Sequence, residues 1–161
     1  MRGWGFVMRK SGLINLLAGA LTVCILAGCG SKEVSFDVKT LAEELNSQIS
    51  YQDTLTELDM DTASMFLNLS ELDIVNGVVY EGSGATAEEI VVLECATSED
   101  GAKAEQVLKD RVAEQVESFT DYVPAELTKL DAAVIRVNGK YAVLSVSDTP
   151  DAAVKIIEKY M

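Results

Sequence analysis

One thiol in this chain stands where the surrounding residues dictate its chemistry. Cys29 closes the segment Leu26-Ala27-Gly28-Cys29, at the end of an apolar run over residues 13–27 that follows Arg9-Lys10. A helix that crosses the hydrocarbon core needs about 20 apolar residues. This run is shorter and ends in small residues, the pattern of a signal that is cut off. The expected cut falls between Gly28 and Cys29, so residues 1–28 leave and Cys29 becomes the N-terminus. Its thiol then carries a diacylglycerol, whose two acyl chains hold a protein to a bilayer more durably than one chain does. The expectation is a lipid-anchored protein on the extracytoplasmic face of the cell membrane. Met8-Arg9-Lys10 already makes a complete basic start, so Met8 is an alternative first residue to Met1.

Carboxylates are the second group able to do chemistry. Glu88 and Glu89, with Glu81, form a set that acid–base catalysis can use. Glu57, Asp59 and Asp61 alternate in Glu57-Leu58-Asp59-Met60-Asp61, and hard cations take clustered carboxylates. The glycine and final glutamate of a calcium loop are absent, however, and the segment reads as a solvated strand edge leading to a helix cap, with Asp61 as the cap. Gly82-Ser83-Gly84 has backbone N–H groups able to cradle an anion. No Gly-Lys-Ser or Gly-Lys-Thr follows it, the glutamates repel phosphate, and a strand comes next, so it reads as a flexible connection. Asp148-Thr149-Pro150-Asp151 reads as helix capping, with Asp151 favoured by the helix dipole. Tyr51, Tyr80, Tyr122, Tyr141 and Tyr160 have the flat face and polar tip of groove-lining residues, but core packing with the hydroxyls at the rim is the default.

Composition excludes several classes. The chain contains no histidine, which removes Ser-His-Asp chemistry and histidine-ligated zinc. Cys24 leaves with the signal and Cys29 is lipidated, so Cys95 alone remains and no internal disulfide forms. Cys95 lies in an apolar run, where a buried thiol acts as a small hydrophobe. Three of the 13 basic residues precede Cys29, which leaves ten against 26 acidic ones and a net charge of −16 for the mature part. Such a surface repels nucleic acid and anionic head groups. Neither catalytic residues, metal ligands nor a cofactor are assigned from these patterns. The expected partners are the membrane, through the lipid on Cys29, and an envelope protein or a small ligand.

These residues need a scaffold to position them. After Cys29, residues 29–37 form a lipidated start and a short polar tether, and residues 38–161 form one domain. Periodicity predicts a helix over 38–48 capped by Asp37, a short extended piece over 54–58 and a short helix over 62–69. Strands follow over 74–81 and 90–96. A long helix runs from Ser98 or Asp100 to about Tyr122, stopped by Pro124, with residues 125–130 as a loop. Residues 133–137 and 141–146 form a hairpin about Asn138-Gly139, read as a type I′ turn. A last helix starts at Thr149-Pro150. The fold class is therefore α+β, a four-stranded antiparallel sheet with helices packed against it, in the order α-α-ββα-ββα. Helices on one face would bury every apolar stripe, and a division between both faces fits the spacing equally.

The chain resembles a known group, the domain of unknown function 4358 family, which comprises small bacterial lipoproteins, mostly from Gram-positive anaerobes. The resemblance rests on Gly84-Ala85-Thr86-Ala87-Glu88-Glu89-Ile90, on Asp121-Tyr122-Val123-Pro124, and on Asn138-Gly139-Lys140-Tyr141-Ala142-Val143-Leu144 with Val146-Ser147-Asp148. It covers roughly residues 38–161 and implies a shared fold and location. It brings no activity and no catalytic residues. The sequence supports three functional readings: a non-enzymatic, lipid-anchored binding or interaction module, a carboxylate- or metal-dependent envelope hydrolase, and a structural filler of the envelope with no specific ligand.

Overall fold

The first helix, α1 (Val38–Gln48), begins where the Asp37 carboxylate accepts the Thr40 N–H at 2.7 Å, replacing a partner that the first turn lacks. The structure is a computed structural model and describes residues 34–161. The signal, Gly28, Cys29 and the tether up to residue 33 lie outside the described residues. Strand β1 (Thr56–Glu57) is two residues long. Helix α2 (Met60–Phe66) is capped by Asp59, which accepts the Thr62 N–H at 2.9 Å. The cap is thus Asp59, and Asp61 sits in the first turn. The helix stops early: Asn68 adopts the left-handed region at φ 55°, and a 3-10 turn, Leu69–Glu71, comes next.

Strands β2 (Ile74–Glu81) and β3 (Glu89–Cys95) pair antiparallel. Helix α3 (Ser98–Thr120) starts on Thr97, whose hydroxyl accepts the Asp100 N–H at 3.1 Å. Pro124 opens a 3-10 turn, Pro124–Glu126, that runs into α4 (Leu127–Asp131). The stretch expected to be a loop is therefore largely helical. It is too short for periodicity to register. Strands β4 (Val134–Asn138) and β5 (Tyr141–Val146) form the hairpin, and α5 (Pro150–Ile157) ends the domain. Thr149 occupies the cap position of α5 without a side-chain bond to the helix.

The sheet has five strands, not four, in the order β1-β2-β3-β5-β4, with every neighbouring pair antiparallel. The added strand, β1, lies within the extended piece read over 54–58, but two residues show no alternation that would mark it as part of the sheet. Helices cover both faces. Ile90, Val92, Tyr141 and Val143 pack with α1 and α5, whereas Val91, Leu93, Ala142, Leu144 and Val146 pack with α2, α3 and α4. The central strands β3 and β5 are apolar at both parities, so helices on one side alone would leave half of those side chains in water.

The hairpin turn corrects one detail. Asn138 still pairs with Tyr141, and the central residues are Gly139 and Lys140. Of these only Gly139 has positive φ, at 58°. Positive φ at the first central position alone is the type II′ pattern, not the type I′ pattern that Asn-Gly suggests. The turn also seats α3: a Cβ on Gly101 would lie 2.3 Å from the Gly139 carbonyl oxygen, so the helix approaches this closely only as glycine.

Candidate functional site

The pleat sends the three singled-out glutamates to different places. Glu81 and Glu89 are register partners across β2 and β3, so their side chains share one face of the sheet. Glu88, one residue earlier, is turned to the loop after α1. Its buried carboxylate accepts the backbone N–H groups of Gln52 at 2.9 Å and Asp53 at 3.0 Å, and the Lys129 ammonium at 3.2 Å. Lys129, on α4, also lies 3.0 Å from Glu126, whose carboxylate accepts the Ala87 N–H at 2.9 Å. Burial would lower the Lys129 pKa, but the bonds from Glu126 and Glu88 outweigh it and raise the ammonium above its usual range. Asp148 completes the group, accepting the Gln52 amide at 2.7 Å. With these partners in place, the cluster ties two loops, α4 with its preceding 3-10 turn, and the end of β5 together.

The Glu81–Glu89 pair is different. Arg111, on α3, donates from Nε to Glu89 at 3.0 Å and from a terminal nitrogen to Glu81 at 3.1 Å. The Gln115 amide donates to Glu89. Two carboxylates thus face one guanidinium, and that guanidinium also lies 3.9 Å over the Phe66 ring. Burial, and then the charge of Glu89, push the Glu81 carboxyl up to about 8, with Arg111 pulling only partly back. Glu89 is raised as well, because burial outweighs Arg111. Glu81 Oε2 and Gln115 Oε1 are buried without a hydrogen-bond partner among the described residues. An acid proton on Glu81 relieves the repulsion between the two carboxylates.

Arg111 also reaches a surface groove between α2 with its 3-10 turn and α3. Its inner end is a cavity of about 110 Å³ lined by Leu67, Asn68, Val107, Asp110, Arg111 and Glu114. Outward it widens into a concavity of about 480 Å³ bordered by Glu71, Leu72 and Lys103. Asn68 borders both, and the exposed Met65 stands beside it.

The remaining predicted residues do not converge. Glu57 accepts the Tyr80 hydroxyl at 3.4 Å, Asp59 caps α2 and Asp61 is exposed. Among the described residues no group of three or more acidic, cysteine or histidine side chains is placed to hold a metal ion. The Gly82-Ser83-Gly84 loop does meet an anion, but it is the protein's own: the Ser83 N–H and hydroxyl both donate to Asp53 at 2.6 Å. Tyr80 and Tyr141 are buried, Tyr51 and Tyr160 pack beside α1 and α5, and Tyr122 is exposed, so the tyrosines share no groove. The Cys95 thiol is buried and pushed up to about 11 by burial and by Asp100 and Asp73, as an inert core thiol should be.

Arg111, Gln115, Glu126, Lys129 and Asn68 were not singled out by sequence reasoning. Some carried a signal. Arg111 and Gln115 lie four apart beside the apolar line Leu108–Val112–Val116, and Lys129 interrupts Leu127 and Leu130.

The architecture defines a class: an α+β domain built on a five-stranded antiparallel sheet with helices on both faces and acid-rich clusters at one end of its central strands. The chain belongs to the domain of unknown function 4358 family, which it matches over residues 47–147, from the end of α1 through β5. No curated protein and no solved structure matches it.

Proposed function

We propose that this protein is a lipid-anchored, extracytoplasmic binding module whose ligand docks in the groove between α2 and α3. The observation that carries the reading is the groove itself. It combines an apolar floor at Leu67 and Val107, an exposed Met65 and a left-handed Asn68 at the helix break. An exposed thioether beside an apolar cleft suits adaptable recognition, and most ligand sites are clefts with a few polar groups on an apolar lining.

The lipid anchor rests on the Leu26-Ala27-Gly28-Cys29 signal. Phe36 supports a short tether: its ring stacks on Tyr141 at 4.2 Å and meets Tyr160 edge-on at 5.5 Å. Phe36, ahead of α1, thus already packs on the domain, and residues 30–35 before it reach about 20 Å when extended. Phe36 packs on the α1–α5 side of the sheet, and the groove opens on the α2–α3 side.

The test is a photo-crosslinking side chain at Met65 of the lipidated protein in cells, with a second variant carrying it at Glu158 on the α1–α5 side. A dominant adduct from position 65 and none from 158 is expected. No adduct from 65, or the same adducts from both, overturns the groove reading. The hydrolase alternative draws on one observation, the carboxyl of Glu81 held near 8. Turnover of an envelope substrate that is lost in Glu81→Gln would put that reading first.

A further inference from the structure

We infer that the groove's occupant is a basic, amphipathic segment of a partner protein; this deepens the binding reading above and rests on it. The argument is one of charge within the groove. Both cations at its border are already engaged. Arg111 holds Glu81 and Glu89 at 3.1 and 3.0 Å, and Lys103 lies 3.2 Å from both Glu99 and Asp100. The acids are not matched in the same way. Glu71 and Glu114 have no ion pair among the described residues, and Asp110 accepts only a neutral amide, from Gln106 at 2.7 Å. The groove therefore presents unneutralised carboxylates around Leu67, Val107 and Leu72. A ligand that fills it must bring positive charge at the rim and aliphatic groups at the floor.

Size points to a polypeptide. The lining residues of α3 run from Lys103 to Glu114, a rise of about 17 Å at 1.5 Å per residue. That is about three turns of a helix, the span over which an amphipathic helix lays anchors into a groove. A second copy of this chain is a poor occupant, because its mature part carries −16 and like-charged molecules repel. A partner with a lysine- or arginine-rich amphipathic stretch satisfies both floor and rim.

The test uses the full lipidated protein in detergent micelles. The probes are a labelled leucine–lysine amphipathic helix and its leucine–glutamate counterpart, both about 16 residues long to cover the groove with a turn to spare. Binding of the lysine helix and not the glutamate helix is expected. The double reversal Glu71→Lys with Glu114→Lys should weaken it by about tenfold or more, a change of about 1.4 kcal/mol. The same charge change on the other face, Glu43→Lys with Glu158→Lys, should cost no more than about twofold, as for general attraction screened over a distance. Equal loss in both pairs, or no binding of the lysine helix, overturns the inference. So does self-association of the protein that the groove reversal abolishes. The Met65 crosslink separates the two readings. An adduct with a protein lacking any basic stretch, or with a small molecule, removes this inference and leaves the groove as a site; no adduct removes both.

Discussion

A carboxylate placed opposite another carboxylate is an unusual thing for a sheet to keep. Glu81 and Glu89 sit directly across β2 and β3, and one guanidinium lies between them. The consequence is a pH dependence whose sign is opposite to that of a salt-bridged acid. The folded-state pKa of Glu81 is raised from the ordinary 4.5 to about 8, so between those values the folded protein binds a proton that the unfolded chain does not. Stability from this group is present in full below the ordinary carboxylate value and is lost as pH rises through about 8. Glu81→Gln copies the neutral acid and should flatten the decline, so that the variant is more stable than the parent at pH 8–9 and close to it at pH 5. Because the carboxyl is partly open to water, the difference should be about 1–2 kcal/mol rather than the full linkage value. Urea midpoints of both proteins across that range measure it, and parallel curves would show that Glu81 is ionised throughout. Lys129 makes the contrasting case. Its ammonium is buried between Glu88 and Glu126, and removing it leaves two acids close together with nothing to balance them. Lys129→Met should cost about 3–5 kcal/mol, read as a fall in the urea midpoint. Replacement of Glu88, Glu126 and Lys129 together by apolar residues should cost less than the single change.

Elements were legible in the sequence where a period repeats often enough to be counted. The stripe of α1, the line Ala104–Leu108–Val112–Val116 of α3 and the Val-rich strands stand as read, with their ends within a residue or two. The two-residue β1 falls inside the extended piece read over 54–58 but is too short to be counted as a sheet strand, and the five-residue α4 is held by burial contributed from elsewhere, so no local pattern announces it. The face assignment was open for a related reason. β3 and β5 are apolar at both parities, and such runs identify buried strands without saying which helix covers which side. The candidate site was less legible still. The glutamates were visible, but the parity that separates Glu88 from Glu89 matters only once Arg111 and Lys129 arrive from elements far along the chain. One element-level contact is sharp enough to test alone. Gly101 in α3 meets the Gly139 carbonyl where a Cβ would sit at 2.3 Å. In a free helix Gly→Ala stabilises by about 1 kcal/mol. Here Gly101→Ala should instead destabilise by about 1–3 kcal/mol as the helix is pushed off the hairpin, and chemical denaturation that shows a gain would mean the turn yields without strain.

At the scale of the whole molecule, address and shape bear on each other. A net charge of −16 over residues 29–161 repels anionic head groups, so the proposed attachment is the lipid on Cys29 rather than the domain surface. Phe36 is pinned between Tyr141 and Tyr160, which leaves six residues between Cys29 and the folded part, a reach of about 20 Å. Under the proposed anchoring, a groove held at that distance would meet membrane-proximal partners. Two changes separate anchoring from folding. Cys29→Ser should abolish incorporation of labelled fatty acid and leave an unprocessed precursor, while the domain keeps its urea midpoint. Normal lipid labelling in the variant would remove the lipoprotein reading altogether. Insertion of about 20 Gly/Ser residues after Ser31 should leave labelling and stability intact. It raises the r.m.s. reach by about 5–6 Å times the square root of the added length, and the Met65 crosslink to a membrane-proximal partner should fade accordingly. Undiminished crosslinking on the long tether would place the partner free in the envelope, with the lipid serving only to retain the protein there.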